Sequence, residues 1–109
     1  MPKVLVLGSG LVGSVIAADL AGTRGFRVTV ADRDEAPLAA ARRRARRVGV
    51  RLSTTVADCG RPTAVRRLAK EFDLVVGALP SRLGFDAVRA VVEAGRPCCD
   101  ISFMEDDPE

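Results

Sequence analysis

The stretch KVLVLGSGLVG, residues 3–13, constrains this chain more than any other. A short apolar run, KVLVL, leads straight into Gly8, Gly10 and Gly13, and a helical pattern follows. A continuous apolar run reads as a strand covered on both faces. A G-x-G-x-x-G spacing between such a strand and a helix is the turn that cradles a dinucleotide's phosphates. Gly8 permits the tight turn. Gly10 carries no side chain, so the backbone can approach a pyrophosphate. Gly13 lets the helix pack close to the strand. The helix N-terminus then offers free N–H groups and partial positive charge to the phosphates. A glycine-rich turn with no ligand is the alternative.

The rest of the chain repeats the alternation. Strand patterns cover 3–7, 26–31, 50–57, 73–79 and 97–102. Helical patterns cover 11–24, 34–49, 62–71 and 85–95. Gly25, Gly49 and Gly95 read as helix stops, and Pro37 and Pro62 fall in first turns. Leu38, Ala41, Ala45 and Val48 form an apolar stripe at helical period. In the last helix Phe85, Val88 and Val92 are expected to face inward, with Asp86, Arg89 and Glu93 outward. Strands and helices alternating with short connections imply an α/β, doubly wound parallel sheet of the Rossmann type. Five strands in the order 3-2-1-4-5 are expected. Residues 1–103 are expected to form the nucleotide-binding domain, cut off after strand 5. Residues 104–109 read as an acidic tail toward a missing substrate domain. At 109 residues, one core is what the length allows.

The ligand of such a sheet lies outside the carboxyl ends of its strands, at the switch between strands 1 and 4. Asp32 ends the second strand, where an acid accepts hydrogen bonds from the adenosine ribose. A carboxylate there repels a 2′-phosphate, so Asp32 points to NAD. Arg33 beside it leaves NADP possible, because a guanidinium stacks on adenine or pairs with that phosphate. A plain helix cap is the other use for Asp32. After strand 3, Asp58 and Cys59 either border the adenine or are a turn acid before Gly60 and a small buried cysteine. The corner Ala78, Leu79, Pro80 breaks strand 4, and Gly84 is a poor helix-interior residue. A cofactor lying against that corner accounts for its small, rigid residues; an ordinary strand-to-helix turn also would.

Composition narrows the classes further. Six arginines fall between Arg42 and Arg51, and the net charge is +3. Their spacing around the apolar stripe reads as a solvated helix face, with no aromatic interleaved for base stacking, so no nucleic-acid partner is expected. The chain has no histidine, and its cysteines at 59, 98 and 99 form no CxxC, so no metal site is expected. No apolar run is long enough for a membrane span, and no signal peptide opens the chain; a reduced, cytoplasmic setting is expected.

With these residues in place, the chain resembles the N-terminal NAD(P)-binding domain of the saccharopine dehydrogenase family, which includes lysine dehydrogenase-like enzymes. The resemblance rests on KVLVLGSGLVGSVIAADLA, on VTVADRD, and above all on DLVVGALPSRLGFDAVRAVVEAGRPCCDISF. It implies an oxidoreductase passing hydride between nicotinamide and a C–N bond of an amino acid or amino-acid adduct. It implies that Gly8, Ser9, Gly10, Leu11, Val12 and Gly13 hold the pyrophosphate. Asp32 and Arg33 would meet the ribose. Ala78, Leu79 and Pro80 would line the nicotinamide side, with Asp100 to Ser102 near the cleft. The family's substrate domain is absent from this sequence, and no general acid or base is identifiable. The expectation is a piece of a longer enzyme that binds cofactor and catalyses nothing alone. Its open edge at strand 5 invites a homodimer. A nucleotide-sensing regulatory domain of a potassium-transport system is the alternative, since it shares the glycines and the acid. A fold that binds nothing is a third reading.

Overall fold

The computed structural model describes residues 2–23, 26–79 and 81–100. The elements are β1 (Lys3–Leu7), α1 (Leu11–Ala21), β2 (Arg27–Asp32), α2 (Glu35–Arg47), β3 (Ser53–Val56), α3 (Pro62–Ala69), β4 (Leu74–Gly77), α4 (Ser81–Glu93) and β5 (Cys98–Asp100). The five strands form one sheet in the order β3-β2-β1-β4-β5, and every pairing is parallel. The expected α/β architecture and strand order are both present.

The apolar run in β1 is explained by its position at the centre of the sheet. Successive side chains on a strand point to opposite faces. Val4 and Val6 enter one core with Ala17 of α1 and Leu38, Ala41 and Ala45 of α2. Leu5 and Leu7 enter the other with Val65 and Ala69 of α3 and Ala87, Ala90 and Val91 of α4. Both faces are therefore dry, with two helices on each.

Several boundaries and faces differ from expectation. β3 is shorter because Val50 closes the helix before it. Gly49 adopts φ +79°, its N–H bonds the Arg46 carbonyl, and the Val50 N–H bonds that of Ala45. This is a Schellman ending, which a glycine in the left-handed region allows. It also turns Val48 outward: Val48 is 68% exposed, not part of the buried stripe. Gly95, at φ +78°, ends α4 in the same way. α1 stops at Ala21, with Gly22 as its cap; Arg24 and Gly25 lie outside the described residues.

α4 begins at Ser81, four residues before its expected start, and runs through Gly84. A helix-interior glycine costs about 1 kcal/mol relative to alanine, an amount that tertiary packing overrides. Among the described side chains of α4 the buried ones are Ala87, Ala90 and Val91; the inward placement expected of Phe85 lies outside the described residues. Val92 is 63% exposed instead of inward, and Val88 is half-buried.

Candidate cofactor site

β1 ends at Leu7, and the next residues leave the sheet without breaking its ladder. The Gly8 N–H donates to the Ala31 carbonyl at 2.8 Å, and the Ala78 N–H donates to that of Leu7 at 2.9 Å. The glycine turn thus rests between the end of β2 and the corner after β4. Gly8 sits at φ +100°, and a Cβ there would lie 2.7 Å from the Ala78 carbonyl oxygen. Only glycine suits that backbone and that approach. A Cβ on Gly13 would lie 2.0 Å from the Gly8 carbonyl oxygen, so this third glycine fits the helix against its own turn. A Cβ on Gly10 would meet nothing within 4 Å. The space in front of Gly10 is open, as a pyrophosphate requires.

The first α-helical bond of α1 runs from the Ser14 N–H to the Gly10 carbonyl at 2.8 Å. The N–H groups of Leu11, Val12 and Gly13 therefore have no acceptor within the helix. No acidic side chain occupies the first turn. The helix thus presents donors and the positive end of its dipole at the open face of the turn.

Asp32 closes the site from β2. Its Oδ2 accepts two hydrogen bonds from Ser9, from the N–H at 2.9 Å and from Oγ at 2.7 Å. Its Oδ1 accepts the Asp34 N–H at 3.3 Å. Arg33 is exposed and has no hydrogen-bond or ion-pair partner among the described residues.

After β3, the Asp58 side chain accepts the Gly60 N–H at 2.9 Å and shapes its own turn. Cys59 is buried in the α3/α4 core, its Sγ 3.8 Å from the Ala31 carbonyl oxygen. Burial first, then the charges of Asp32 and Asp58, push its thiol from 9.0 up to about 12, against a weaker opposing hydrogen bond at the Gly8 backbone. A thiol so held is protonated near neutral pH and is a poor nucleophile. Ala78 and Leu79 are buried, one in each core. The corner meets Gly8 with the Ala78 carbonyl and, beside it, the Leu79 side chain. Pro80, Ile101 and Ser102 lie outside the described residues, as does the acidic tail. Asp100 is the last residue of β5, level with Gly77 of β4.

The turn thus brings together Gly8, Ser9, Gly10, Gly13, Asp32 and Ala78, with Cys59 beneath. Two residues were not identified from the sequence. Ser14 is fully buried; its hydroxyl donates to the Gly10 carbonyl at 2.6 Å and accepts from Arg44 Nη1 of α2 at 2.9 Å. One buried hydroxyl thereby ties the turn to the neighbouring helix. Its signal was a serine inside an otherwise apolar helix face. A cavity of about 550 Å³ between α1 and the end of α2, lined by Val15, Ala18, Val48 and Val50, also opens beside Ser14 and Arg44. It lacks the glycines and Asp32, so the open turn is the better candidate for a dinucleotide.

Comparison with known proteins agrees with this geometry. The family model described as the saccharopine dehydrogenase NADP binding domain matches residues 4–109. The chain belongs to that family. Membership makes it a nicotinamide-dinucleotide-binding domain of the saccharopine dehydrogenase type. Among solved structures it is similar to a saccharopine dehydrogenase (L-Glu forming) from Saccharomyces cerevisiae, in the apo form. That match has a TM-score of 0.73 and 24% identity, and covers 96% of this chain and 22% of the yeast chain. It is also similar to a 3-hydroxyacyl-CoA dehydrogenase from Archaeoglobus fulgidus, with a TM-score of 0.73 and 24% identity over 94% of this chain and 34% of that one. A short-chain type dehydrogenase/reductase from Mycobacterium marinum has a TM-score of 0.67 and 19% identity over 85% of this chain and 48% of its own. At these identities the likeness is one of fold. The chain spans about a fifth of the yeast enzyme's length. A search of curated proteins finds no match. Among the described residues, no helix is long and apolar enough to cross a membrane.

Proposed function

We propose that this saccharopine dehydrogenase-type domain is the cofactor module of an oxidoreductase, and that its preferred cofactor is NADP. The observation that carries the reading is the open space before Gly10, faced by the unpaired N–H groups of Leu11, Val12 and Gly13. Those groups would hold the pyrophosphate. Ala78 and Leu79 would pass beside the cofactor toward its nicotinamide end. The nicotinamide, when bound, supplies the hydride acceptor or donor. The substrate carbon is taken to be at a C–N bond of an amino acid or amino-acid adduct, as the resemblance implies. Alone, this chain is expected to bind without turning over, since it has no identifiable general acid or base.

NADP replaces the NAD expected from Asp32 for two reasons. The matched family is described by its NADP binding. The Asp32 carboxylate is also partly spent on Ser9, while Arg33 next to it is exposed and unpartnered among the described residues. Arg33 would pair with the 2′-phosphate. The potassium-transport sensor reading loses support with the family match, because the sequence beyond the glycines and the acid belongs with the dehydrogenases.

The test is a titration with NADPH and with NADH, followed by nicotinamide fluorescence; the protein has no Trp or Tyr to compete. NADPH is expected to bind about tenfold more tightly, a difference of about 1.4 kcal/mol. Tighter NADH binding would return the assignment to NAD. Stabilisation by ATP with no binding of either dinucleotide would revive the sensor.

A further inference from the structure

The carboxylate of Asp32 is held unevenly. Both donors of Ser9 end on Oδ2, at 2.9 and 2.7 Å, while Oδ1 receives one longer bond of 3.3 Å from the Asp34 N–H. Ser9 is only 2% exposed, so water hardly competes for its hydroxyl. The two residues are 23 apart in the chain, so this contact belongs to the tertiary fold.

A carboxylate oxygen has about two acceptor directions. Ser9 fills both on Oδ2. An unmodified adenosine ribose grips a carboxylate through two adjacent hydroxyls, ideally one on each oxygen. Here it would find only Oδ1. A ribose carrying a 2′-phosphate has already given up its 2′-hydroxyl, so it loses little from the same occupancy.

We infer that Ser9 sets the cofactor preference of this domain by occupying Oδ2 of Asp32 and so withholding the two-point grip that would favour the unphosphorylated dinucleotide. Ser9 is a positioning residue in this role, because it acts through Asp32. The inference rests on the reading of Asp32 as the ribose-side acid.

The test uses this chain, its Ser9→Ala and Asp32→Asn variants and the double variant, each titrated with NADH and NADPH. Ser9→Ala removes the hydroxyl and keeps the backbone N–H, which frees one acceptor direction on Oδ2. Its expected effect is a shift of the NADH-to-NADPH affinity ratio toward NADH of about tenfold, the worth of one charge-assisted hydrogen bond. In the Asp32→Asn background the same substitution is expected to leave the ratio unchanged. If Ser9→Ala fails to fold in a melting scan, Ser9→Gly carries the same expectation. An unchanged ratio, or equal weakening of both nucleotides, overturns the role of Ser9 and leaves the cofactor reading standing. A wild-type chain that binds neither nucleotide overturns both.

Discussion

Gly10 and Gly13 stand three residues apart in one turn for different physical reasons. At Gly13 the missing Cβ makes room for the protein itself, since that atom would lie 2.0 Å from the Gly8 carbonyl oxygen. At Gly10 the missing Cβ leaves space free, and the backbone there, at φ −64°, suits any residue. The two alanine variants should therefore separate stability from binding. Gly13→Ala is expected to destabilise the fold by roughly 1–3 kcal/mol or more, the cost of overpacking. Gly10→Ala is expected to stay within about 0.5 kcal/mol of wild type yet weaken nucleotide binding by about tenfold or more, since ~1.4 kcal/mol of lost contact suffices. Urea melts and fluorescence titrations check the pair. Wild-type affinity in Gly10→Ala would mean that no pyrophosphate lies over that residue.

Among the elements, α2 shows best how packing and charge divide one helix. Leu38, Ala41 and Ala45 are buried against β1 and β2, while four of its arginines are exposed. Arg42 is half-buried and tied to Glu35 at 2.6 Å and to Thr54 of β3. Arg44 reaches across to Ser14. The arginines of the last turn also suit the negative end of the helix dipole. Leu38→Ala is expected to cost about 2–5 kcal/mol, because it leaves a cavity in a fully buried site. Val48→Ala is expected to change stability by less than about 0.5 kcal/mol, since Val48 lies past the helix end and is exposed. A large loss from Val48→Ala in chemical denaturation would restore it to the stripe.

At the scale of the molecule, the site exists only when the sheet is assembled. The glycine turn follows β1, Asp32 ends β2, and the Ala78 corner follows β4. A ligand held by all three binds the folded chain and not the unfolded one, so binding must raise global stability. At a hundred times its Kd, NADPH is expected to add about 2.7 kcal/mol, which for a domain of this size moves Tm up by about 10 °C or more. A calorimetric scan with and without nucleotide checks this; an unmoved Tm at saturating nucleotide would mean that the three strand ends do not share a ligand.

Much of this was legible in the sequence, and the reasons are local. The continuous apolar character of residues 4–7 foretells a central strand, because a strand covered on both faces has no polar side. Helix and strand periods alternate along the chain, which implies parallel pairing; the order of the strands was expected from the dinucleotide-binding fold that the glycine turn marks. Gly13 follows from backbone sterics within the turn itself, since a Cβ there would meet the Gly8 carbonyl oxygen, whereas the contact that requires Gly8, with Ala78, comes from the other half of the chain. Asp32 and the Ala78 corner were legible as neighbours of the glycine turn because both stand at the carboxyl ends of strands whose ends must align. Other features waited on the fold. The buried face of α4 among its described side chains, and the continuation of that helix back through Gly84 to Ser81, were not given by local periodicity. The bond from Ser9 to Asp32 and that from Arg44 to Ser14 join residues 23 and 30 apart. Periodicity reports which way a side chain faces, not which distant group it meets. Local pattern alone was enough for the sheet and its glycine turn; only the folded chain settled how Asp32 is engaged, because hydrogen-bond partners are set by three-dimensional proximity.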